Sequence, residues 1–217
     1  MSKDEKMSLE EIRRQFNLGT LKESDLAPDP FSQFSKWYGE AEKACRFYPN
    51  HMTLSTVDAN GAPQSRIVLL KGADPEGFVF FTNYQSRKGQ QLQDNSAASI
   101  TFFWEELERQ VNISGKAVKV SALESDEYFA SRARGSQIGA WVSKQSSEIA
   151  ARGLLEQEKD RLTALYADQE IPRPQHWGGF RILPQRVEFW QGQPDRLHDR
   201  LEYLLKNNQW SIRRLSP

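Results

Sequence analysis

Arg196, His198 and Arg200 are three basic side chains that recur at every second residue. On a β-strand this spacing places all three on one face of the sheet. Burying unpaired charge is prohibitively costly, so an ordinary core face is excluded. Two interpretations are left: a solvated outer face, or one wall of a pocket for an anion. The triplet alone does not decide between them.

A second group of cations opens a predicted helix. Ser86, Arg87 and Lys88 directly follow a predicted strand, and Ser86 is of the type that caps helices. Two cations in a first turn oppose the helix dipole. The arrangement becomes favourable if backbone amides and both side chains hold a phosphate, so a phosphate site is predicted here. The alternative is that both side chains extend into water.

Two further sets of polar residues are weaker signals. Arg66 and Lys71 bracket an apolar run and would fall on opposite faces of a regular strand, which favours a buried strand with solvated ends. Tyr128, Arg132 and Ser136 recur at four-residue intervals, so an uninterrupted helix would stack them on one face. Such a row either grips a phosphate or forms a solvated face.

Composition excludes several classes of protein. The 29 basic and 29 acidic residues give no net charge, which argues against a nucleic-acid partner. Cys45 is the single cysteine, so no intrachain disulfide is possible, and with three scattered histidines no metal site is predicted. The sequence contains no signal-like or membrane-spanning apolar run, which favours a cytoplasmic location and no membrane contact. Nucleophile and paired-carboxylate motifs are also lacking, so an organic cofactor is expected to carry the chemistry.

The hydrophobic pattern predicts one α+β domain at residues 8–217, after a disordered segment 1–7. A capping-box pattern at residues 8–11 predicts a helix to about Phe16. Strands joined by tight turns favour an antiparallel closed or split barrel with peripheral helices, because a barrel removes exposed sheet edges. The other predicted helices are 30–47, 86–93, 122–140 and 147–167, and the predicted strands are 51–57, 64–71, 77–83, 97–104, 109–120, 179–182, 186–191, 196–204 and 210–215.

Several segments together resemble the pyridoxamine/pyridoxine 5′-phosphate oxidase family, over roughly residues 8–217. They occur in the family's order and spacing, at residues 66–71, 82–83, 86–88, 108–111, 136–147, 177–180, 187–191 and 196–200. The resemblance implies a homodimer of FMN-binding split barrels whose C-terminal strands serve dimerisation and the active site. It also implies oxidation of pyridoxamine or pyridoxine 5′-phosphate to pyridoxal 5′-phosphate, with dioxygen reduced to hydrogen peroxide.

The resemblance also implies roles for individual residues. One subunit would contact FMN through Arg66, Ile67, Val68, Leu69, Lys71, Phe81, Thr82, Arg87, Lys88 and Gln110. Gln145, Ser146, Trp190 and Arg200 would complete that site, largely from the other subunit. Lys71, Tyr128, Arg132 and Ser136 would hold the substrate phosphate, Arg13 would cover the substrate, and Arg196 and His198 would lie over its ring as catalytic residues.

Two positions depart from the family pattern, because Phe16 and Phe81 stand where a tyrosine is common. The change at Phe16 removes a hydroxyl from a residue expected to cover the substrate. Two other functions are open at this stage. One is a split-barrel flavoprotein of another kind, such as a flavin reductase or an oxidase with a different substrate. The other is a non-enzymatic pyridoxal phosphate carrier or flavin-storage protein.

Overall fold

The computed structural model describes residues 15–217 and contains, within them, nine strands and five α-helices. The strands are β1 (His51–Val57), β2 (Pro63–Leu69), β3 (Gly72–Asp74), β4 (Gly77–Asn83), β5 (Ala97–Trp104), β6 (Arg109–Lys119), β7 (Trp177–Gln191), β8 (Asp199–Lys206) and β9 (Gln209–Leu215). The helices are α1 (Pro30–Ala44), α2 (Arg87–Asp94), α3 (Ala122–Ser131), α4 (Arg134–Val142) and α5 (Gly153–Leu165).

All strand pairs are antiparallel, and the sheet runs in the order β2-β1-β5-β6-β7-β4-β3. Strand β7 is the strand at which the sheet divides. Its first half pairs with β4 and its second half with β8, while β6 runs along its other edge from Phe180 to Gln191. The fold is therefore the antiparallel split barrel with peripheral helices that the sequence predicted.

A bulge marks the point where β7 changes partner. Ser114 pairs with Arg186 but Gly115 pairs with Pro184, so Gln185 is an extra residue on β7. A proline is tolerated at a bulge because it has no amide to donate to the ladder. A side chain at Gly115 would clash with the Leu183 carbonyl oxygen, which explains the glycine. The two strands predicted at 179–182 and 186–191 are therefore one bent strand.

The barrel core is filled by α1 and by the inward-facing residues of the strands. Asp29 caps α1 by accepting hydrogen bonds from the amides of Phe31 and Ser32. From α1, Phe34 packs edge-on to Phe78 with ring centroids 4.9 Å apart, and Trp37 packs on the far side of the barrel. A second, smaller apolar cluster joins α3, α4 and α5 to the first residues of β7, and its members are Phe129, Ile138, Ala140, Leu162, Ile171 and Trp177.

The structure corrects four element predictions. The helix predicted at 30–47 ends at Ala44, since Cys45 is extended. The helix predicted at 122–140 is two helices, because Arg132 is extended at φ −74° and ψ 146°. The helix predicted at 147–167 begins only at Gly153. The strand predicted at 196–204 begins at Asp199, and β3 was not predicted at all.

The N-terminal predictions are left without a test. Residues 1–14 lie outside the described residues, and with them the predicted disordered segment, nearly all of the helix from residue 8, and Arg13. Within the described part of that helix, residues 15 and 16 are not helical. In residues 15–217 no helix is long and apolar enough to cross a membrane.

Candidate active site

A cleft of about 530 Å³ opens where β2 and β4 meet the helical part of the fold. It contains most of the residues predicted to bind cofactor or substrate phosphate. Its lining consists of Ile67, Val68, Leu69, Lys71, Phe81, Thr82, Asn83, Lys88, Tyr128, Arg132, Ala133, Ser136, Gln145 and Trp177. Asn83, Ala133 and Trp177 are the lining residues that the sequence analysis did not assign.

Lys88 lies at the base of this cleft, in the first turn of α2. Its Nζ donates to Gln145 Oε1 at 2.7 Å and to Thr82 Oγ1 at 3.4 Å. Burial, helped by the nearby charge of Arg66, lowers the pKa of Lys88 to about 8. A lysine held at that cost without a carboxylate partner in residues 15–217 is well suited to bind an anion, which would raise its pKa again. Ser86 caps α2 as predicted, accepting from the Gly89 amide.

Arg66 is held rigidly beside Lys88. Its Nη1 donates to Thr56 Oγ1 at 2.6 Å and to the carbonyl of Gln64 at 3.1 Å, and its Nη2 donates to Gln91 Oε1 at 3.2 Å. These acceptors are neutral, and burial lowers the pKa of Arg66. The positive charge is therefore not neutralised by these partners. Arg87, the other predicted cation of this helix start, is exposed.

Arg132 forms a second cationic centre in the cleft. Its guanidinium carbon lies 4.5 Å from the ring centre of Trp177, and burial lowers its pKa. The buried Nη1 atom has no hydrogen-bond partner among the described residues. Buried donors are almost always satisfied, so an unsatisfied one in a cleft points to a missing acceptor.

An aromatic stack supports this second centre. Tyr128 lies on Phe81 with ring centroids 4.0 Å apart and planes 19° apart, and Phe81 lies on Trp177. Lys71 Nζ is 5.8 Å from the Tyr128 ring centre. The sequence predicted that one unbroken helix would carry Tyr128, Arg132 and Ser136. Instead, Tyr128 lies on α3, Ser136 lies on α4, and Arg132 lies between the two helices. The break at Arg132 nevertheless leaves all three lining one cleft.

The basic triplet of the C-terminal region has a different structure from the one predicted. Asp195 and Arg196 both have left-handed backbones, at φ 55° and φ 63°, and this ends any extended strand before β8. Arg196 and His198 are therefore in the loop between β7 and β8, and only Arg200 is on a strand. The prediction that the three basic side chains share one face of a strand is wrong, because left-handed residues cannot continue a strand.

The three basic side chains also differ in their partners. Arg200 makes a bidentate pair with Glu188, at 2.8 Å and 3.0 Å, which raises the pKa of the arginine. His198 Nδ1 accepts from the amide of Gln193 at 3.1 Å, and its ring centre is 4.7 Å from that of Trp190. Arg196 is exposed.

The cleft and this C-terminal group occupy opposite ends of β7. Trp177, which lines the cleft, is the first residue of β7, whereas Trp190 is the last but one. At about 3.3 Å per residue, roughly 40 Å of strand separates them before bending. Gln110 pairs with Trp190 across the ladder and so belongs to the C-terminal group. Gln145, expected largely from another subunit, contacts Lys88 of its own chain, and Ser146 follows it with a left-handed backbone at φ 72°.

The fold and the cleft define a split-barrel protein with two cationic centres at one end of the sheet. The sequence model of the pyridoxamine 5′-phosphate oxidase family matches residues 39–166, and that of the pyridoxine 5′-phosphate oxidase C-terminal dimerisation region matches residues 177–217. The pyridoxine/pyridoxamine 5′-phosphate oxidase of Paraburkholderia phytofirmans is 53% identical over 97% of this chain and 99% of its own. The chain therefore belongs to the pyridoxamine 5′-phosphate oxidase family.

Two solved structures agree with this assignment. PhzG from Burkholderia lata, in complex with tetrahydrophenazine-1-carboxylic acid, is 31% identical, with a TM-score of 0.87 over 92% of this chain and 99% of its own. A pyridoxamine 5′-phosphate oxidase-related, FMN-binding protein from Nostoc punctiforme is 17% identical, with a TM-score of 0.69 over 88% of this chain and 100% of its own. The second likeness supports the fold alone.

Proposed function

We propose that this protein oxidises pyridoxamine or pyridoxine 5′-phosphate to pyridoxal 5′-phosphate. The amine reaction would consume water and dioxygen and release ammonia and hydrogen peroxide, while the alcohol reaction would consume dioxygen and release hydrogen peroxide. Besides the family, the observation that carries the proposal is the buried Arg132 Nη1 without a hydrogen-bond partner among residues 15–217. It provides an unsatisfied donor for a phosphate oxygen within a cationic cleft.

The cleft suits two phosphate groups, one from FMN and one from the substrate. Arg66 and Lys88 lie close enough for one charge to lower the pKa of the other, and neutral acceptors surround both. This pair, with the start of α2, would hold the FMN phosphate. The chemistry supplied by bound FMN would be acceptance of a hydride from C4′, with the electrons passing to dioxygen. Lys71 and Arg132 would hold the substrate phosphate, with Tyr128 and Ser136 beside them.

A second copy of the chain would complete the site, as the match to a dimerisation region supports. The cleft of one chain lacks Arg196 and His198 of that chain. Apolar side chains are exposed beside it, with Ile67 61% and Leu69 38% exposed. Phe103, which is 53% exposed, pairs with Gln110, and Gln110 pairs with Trp190, so the three residues form one row across neighbouring strands. We propose that this face is covered by the partner, whose β7–β8 loop reaches the cleft.

Within that dimer the chain's own residues would bind and orient rather than act as nucleophiles. Trp190, Gln110 and Arg200 would contact the flavin, with the Glu188 carboxylate fixing the direction of the Arg200 guanidinium. Arg196 and His198 would lie over the substrate ring and control charge at C4′. Alignment of reacting atoms is itself a large part of rate enhancement. Ile67, Val68, Leu69, Phe81, Thr82, Arg87, Gln145 and Ser146 remain proposed FMN contacts, and Arg13 a proposed substrate contact.

The substrate is the point that experiment must decide, because PhzG was solved with a carboxylate that carries no phosphate. Purified protein should be mixed under air with pyridoxamine 5′-phosphate, and with pyridoxamine as the matched control. Hydrogen peroxide and the absorbance of pyridoxal 5′-phosphate should both appear with pyridoxamine 5′-phosphate. With pyridoxamine, the corresponding products should appear far more slowly. Retained yellow colour without peroxide would contradict the proposal and favour a carrier or a reductase. Equal rates with both compounds would contradict the assigned phosphate site.

A further inference from the structure

Glu108 is a buried carboxylate that the proposed reaction does not use. It is 2% exposed and lies immediately before β6, with a left-handed backbone at φ 51°. One side-chain oxygen accepts hydrogen bonds from the amides of Asn17 and Leu18, at 2.8 Å and 2.9 Å. Its backbone carbonyl accepts from the amide of Gly192 at 2.8 Å. Glu108 thus ties the N-terminal segment and the β7–β8 loop to the same point.

Phe16 adjoins the residues that Glu108 holds and contacts the proposed catalytic loop. Its ring centre is 5.7 Å from that of His198 and 5.6 Å from that of Trp190, edge-on in both cases. The packing against Gly192 is so close that an added Cβ there would lie 2.7 Å from Phe16 Cβ. The imidazole of His198 therefore packs against two aromatic rings that also contact each other, and one of them depends on the N-terminal segment for its place.

Further contacts lay the same segment along the loop. The Gln193 side chain donates to the Gly19 carbonyl, and Asp199 accepts from the Leu21 amide at 3.0 Å. In both of these hydrogen bonds the N-terminal segment contributes an uncharged backbone group. Glu108 is the one that places a buried carboxylate next to Phe16, and a carboxylate accepting two amide hydrogen bonds is held more firmly than a neutral acceptor.

We infer that Glu108 is a positioning residue for the proposed reaction. By holding the amides of Asn17 and Leu18 it keeps Phe16 against His198, and so fixes the imidazole in the orientation that meets the substrate in the partner's cleft. The inference rests on the proposed function for its effect on rate. It predicts an effect on His198 whether or not that function is correct.

The kinetic test uses Glu108→Ala, Glu108→Gln and Phe16→Ala, with Glu106→Ala as the matched control. Glu106 is an exposed acid in the turn before Glu108, and its carboxylate accepts a hydrogen bond from the amide of Arg46 at 3.4 Å. Glu108→Ala should lower kcat for pyridoxamine 5′-phosphate by about tenfold, as loss of a charged hydrogen bond would. Glu108→Gln, which keeps an acceptor oxygen and the same backbone requirement, should recover most of this. Glu106→Ala should match the wild type.

The double variant separates positioning from a general structural effect. If Glu108 acts through Phe16, adding Glu108→Ala to Phe16→Ala should lower kcat by less than about twofold more, because coupled residues are not additive. Multiplied effects, or a wild-type kcat for Glu108→Ala, would overturn the inference. If Glu108→Ala gives no folded protein, Leu18→Pro replaces it, since it removes one donor at an exposed position.

An NMR measurement tests the same inference without turnover. The protein has three histidines, so imidazole signals from ¹³C-labelled histidine can be assigned with His198→Ala. Glu108→Ala and Phe16→Ala should move the His198 signal to the same new position and leave His51 and His176 unmoved. A His198 signal that moves only in Phe16→Ala would overturn the inference. An inactive wild type would instead overturn the proposed function, and the signals would still decide the role of Glu108.

Discussion

Replacing Arg132 with leucine should stabilise the unliganded protein while it weakens substrate binding. The buried Nη1 has no hydrogen-bond partner within residues 15–217, and leaving such a group unsatisfied costs about 1–3 kcal/mol. The stabilising contacts that would be lost are the stacking of the guanidinium over Trp177 at 4.5 Å, worth about 0.5–2 kcal/mol, and its longer contact with the Phe129 ring at 5.6 Å, at the lower end of that range. The ranges overlap, and their central values leave the variant more stable by only a few tenths of a kcal/mol.

Binding should change in the opposite direction. A bidentate guanidinium–phosphate contact joins two charge-assisted hydrogen bonds of about 1.5–3 kcal/mol each, so its loss should raise KM for pyridoxamine 5′-phosphate by roughly 10² to 10⁴. The already slow reaction of unphosphorylated pyridoxamine should change little. Discrimination between the two compounds should therefore collapse in Arg132→Leu.

The assay combines thermal unfolding of the flavin-free protein with steady-state kinetics on both compounds. Arg152→Leu is the matched control, because it removes an exposed arginine from the surface. It should leave both the selectivity and the melting temperature nearly unchanged. The reasoning is refuted if Arg132→Leu is less stable and keeps its selectivity, since Arg132 would then be a structural residue with a partner of its own.

Three further outcomes are expected. Lys88 has a pKa of about 8, which a bound phosphate would raise. FMN affinity measured by fluorescence should therefore fall above pH 8, by up to about tenfold per pH unit. Lys88→Arg should remove this pH dependence, and a pH profile that is the same in the variant and the wild type would exclude Lys88 from the phosphate site. His198→Ala and Arg196→Ala should slow turnover while the purified protein stays yellow, and colourless protein would contradict that division of roles. Gly115→Ala should lower the free energy of unfolding, measured in urea, by about 2–4 kcal/mol, because the added methyl group meets a carbonyl oxygen at the bulge. The control Gly39→Ala has open space around the added methyl group and should be neutral or slightly stabilising. Equal stabilities of the two variants would show that the bulge adapts to the methyl group.

Much of the fold could be predicted because its signals are local. Strands 51–57, 77–83 and 97–104 were predicted with the bounds that the structure gives, from their alternation and from turns such as the one at Gly61, where φ is +83°. Helix α2 and its Ser86 cap were predicted for the same reason. The bulge at Gln185 was not, because a bulge depends on the partner strand and not on the residues beside it.

Most of the residues that line the cleft could be predicted from the sequence, but not their arrangement, and their binding roles stay predictions. The sequence identified Lys88 and Arg132, yet the break that turns Arg132 into the cleft depends on packing against Trp177. Aspartate adopts a left-handed backbone more readily than most residues, but arginine rarely does, and no local pattern predicts two such residues in succession at Asp195 and Arg196. Glu108 belongs to one of the segments that resemble the family, but no role could be predicted for it. The reason is that its partners are distant in the chain, with Asn17 lying 91 residues earlier.

Subunit complementation tests the central claim, that the cleft of one chain is completed by the β7–β8 loop of another. Arg132→Leu damages the cleft and His198→Ala damages the loop, and each variant alone should be nearly inactive at low substrate. When the two are unfolded and refolded together in equal amounts, about half of the dimers should be mixed, and each should hold one undamaged site and one doubly damaged site. The mixed sample should therefore show about a quarter of the wild-type activity. Activity no higher than that of the two variants measured separately would show that cleft and loop act within one chain, and would contradict that claim.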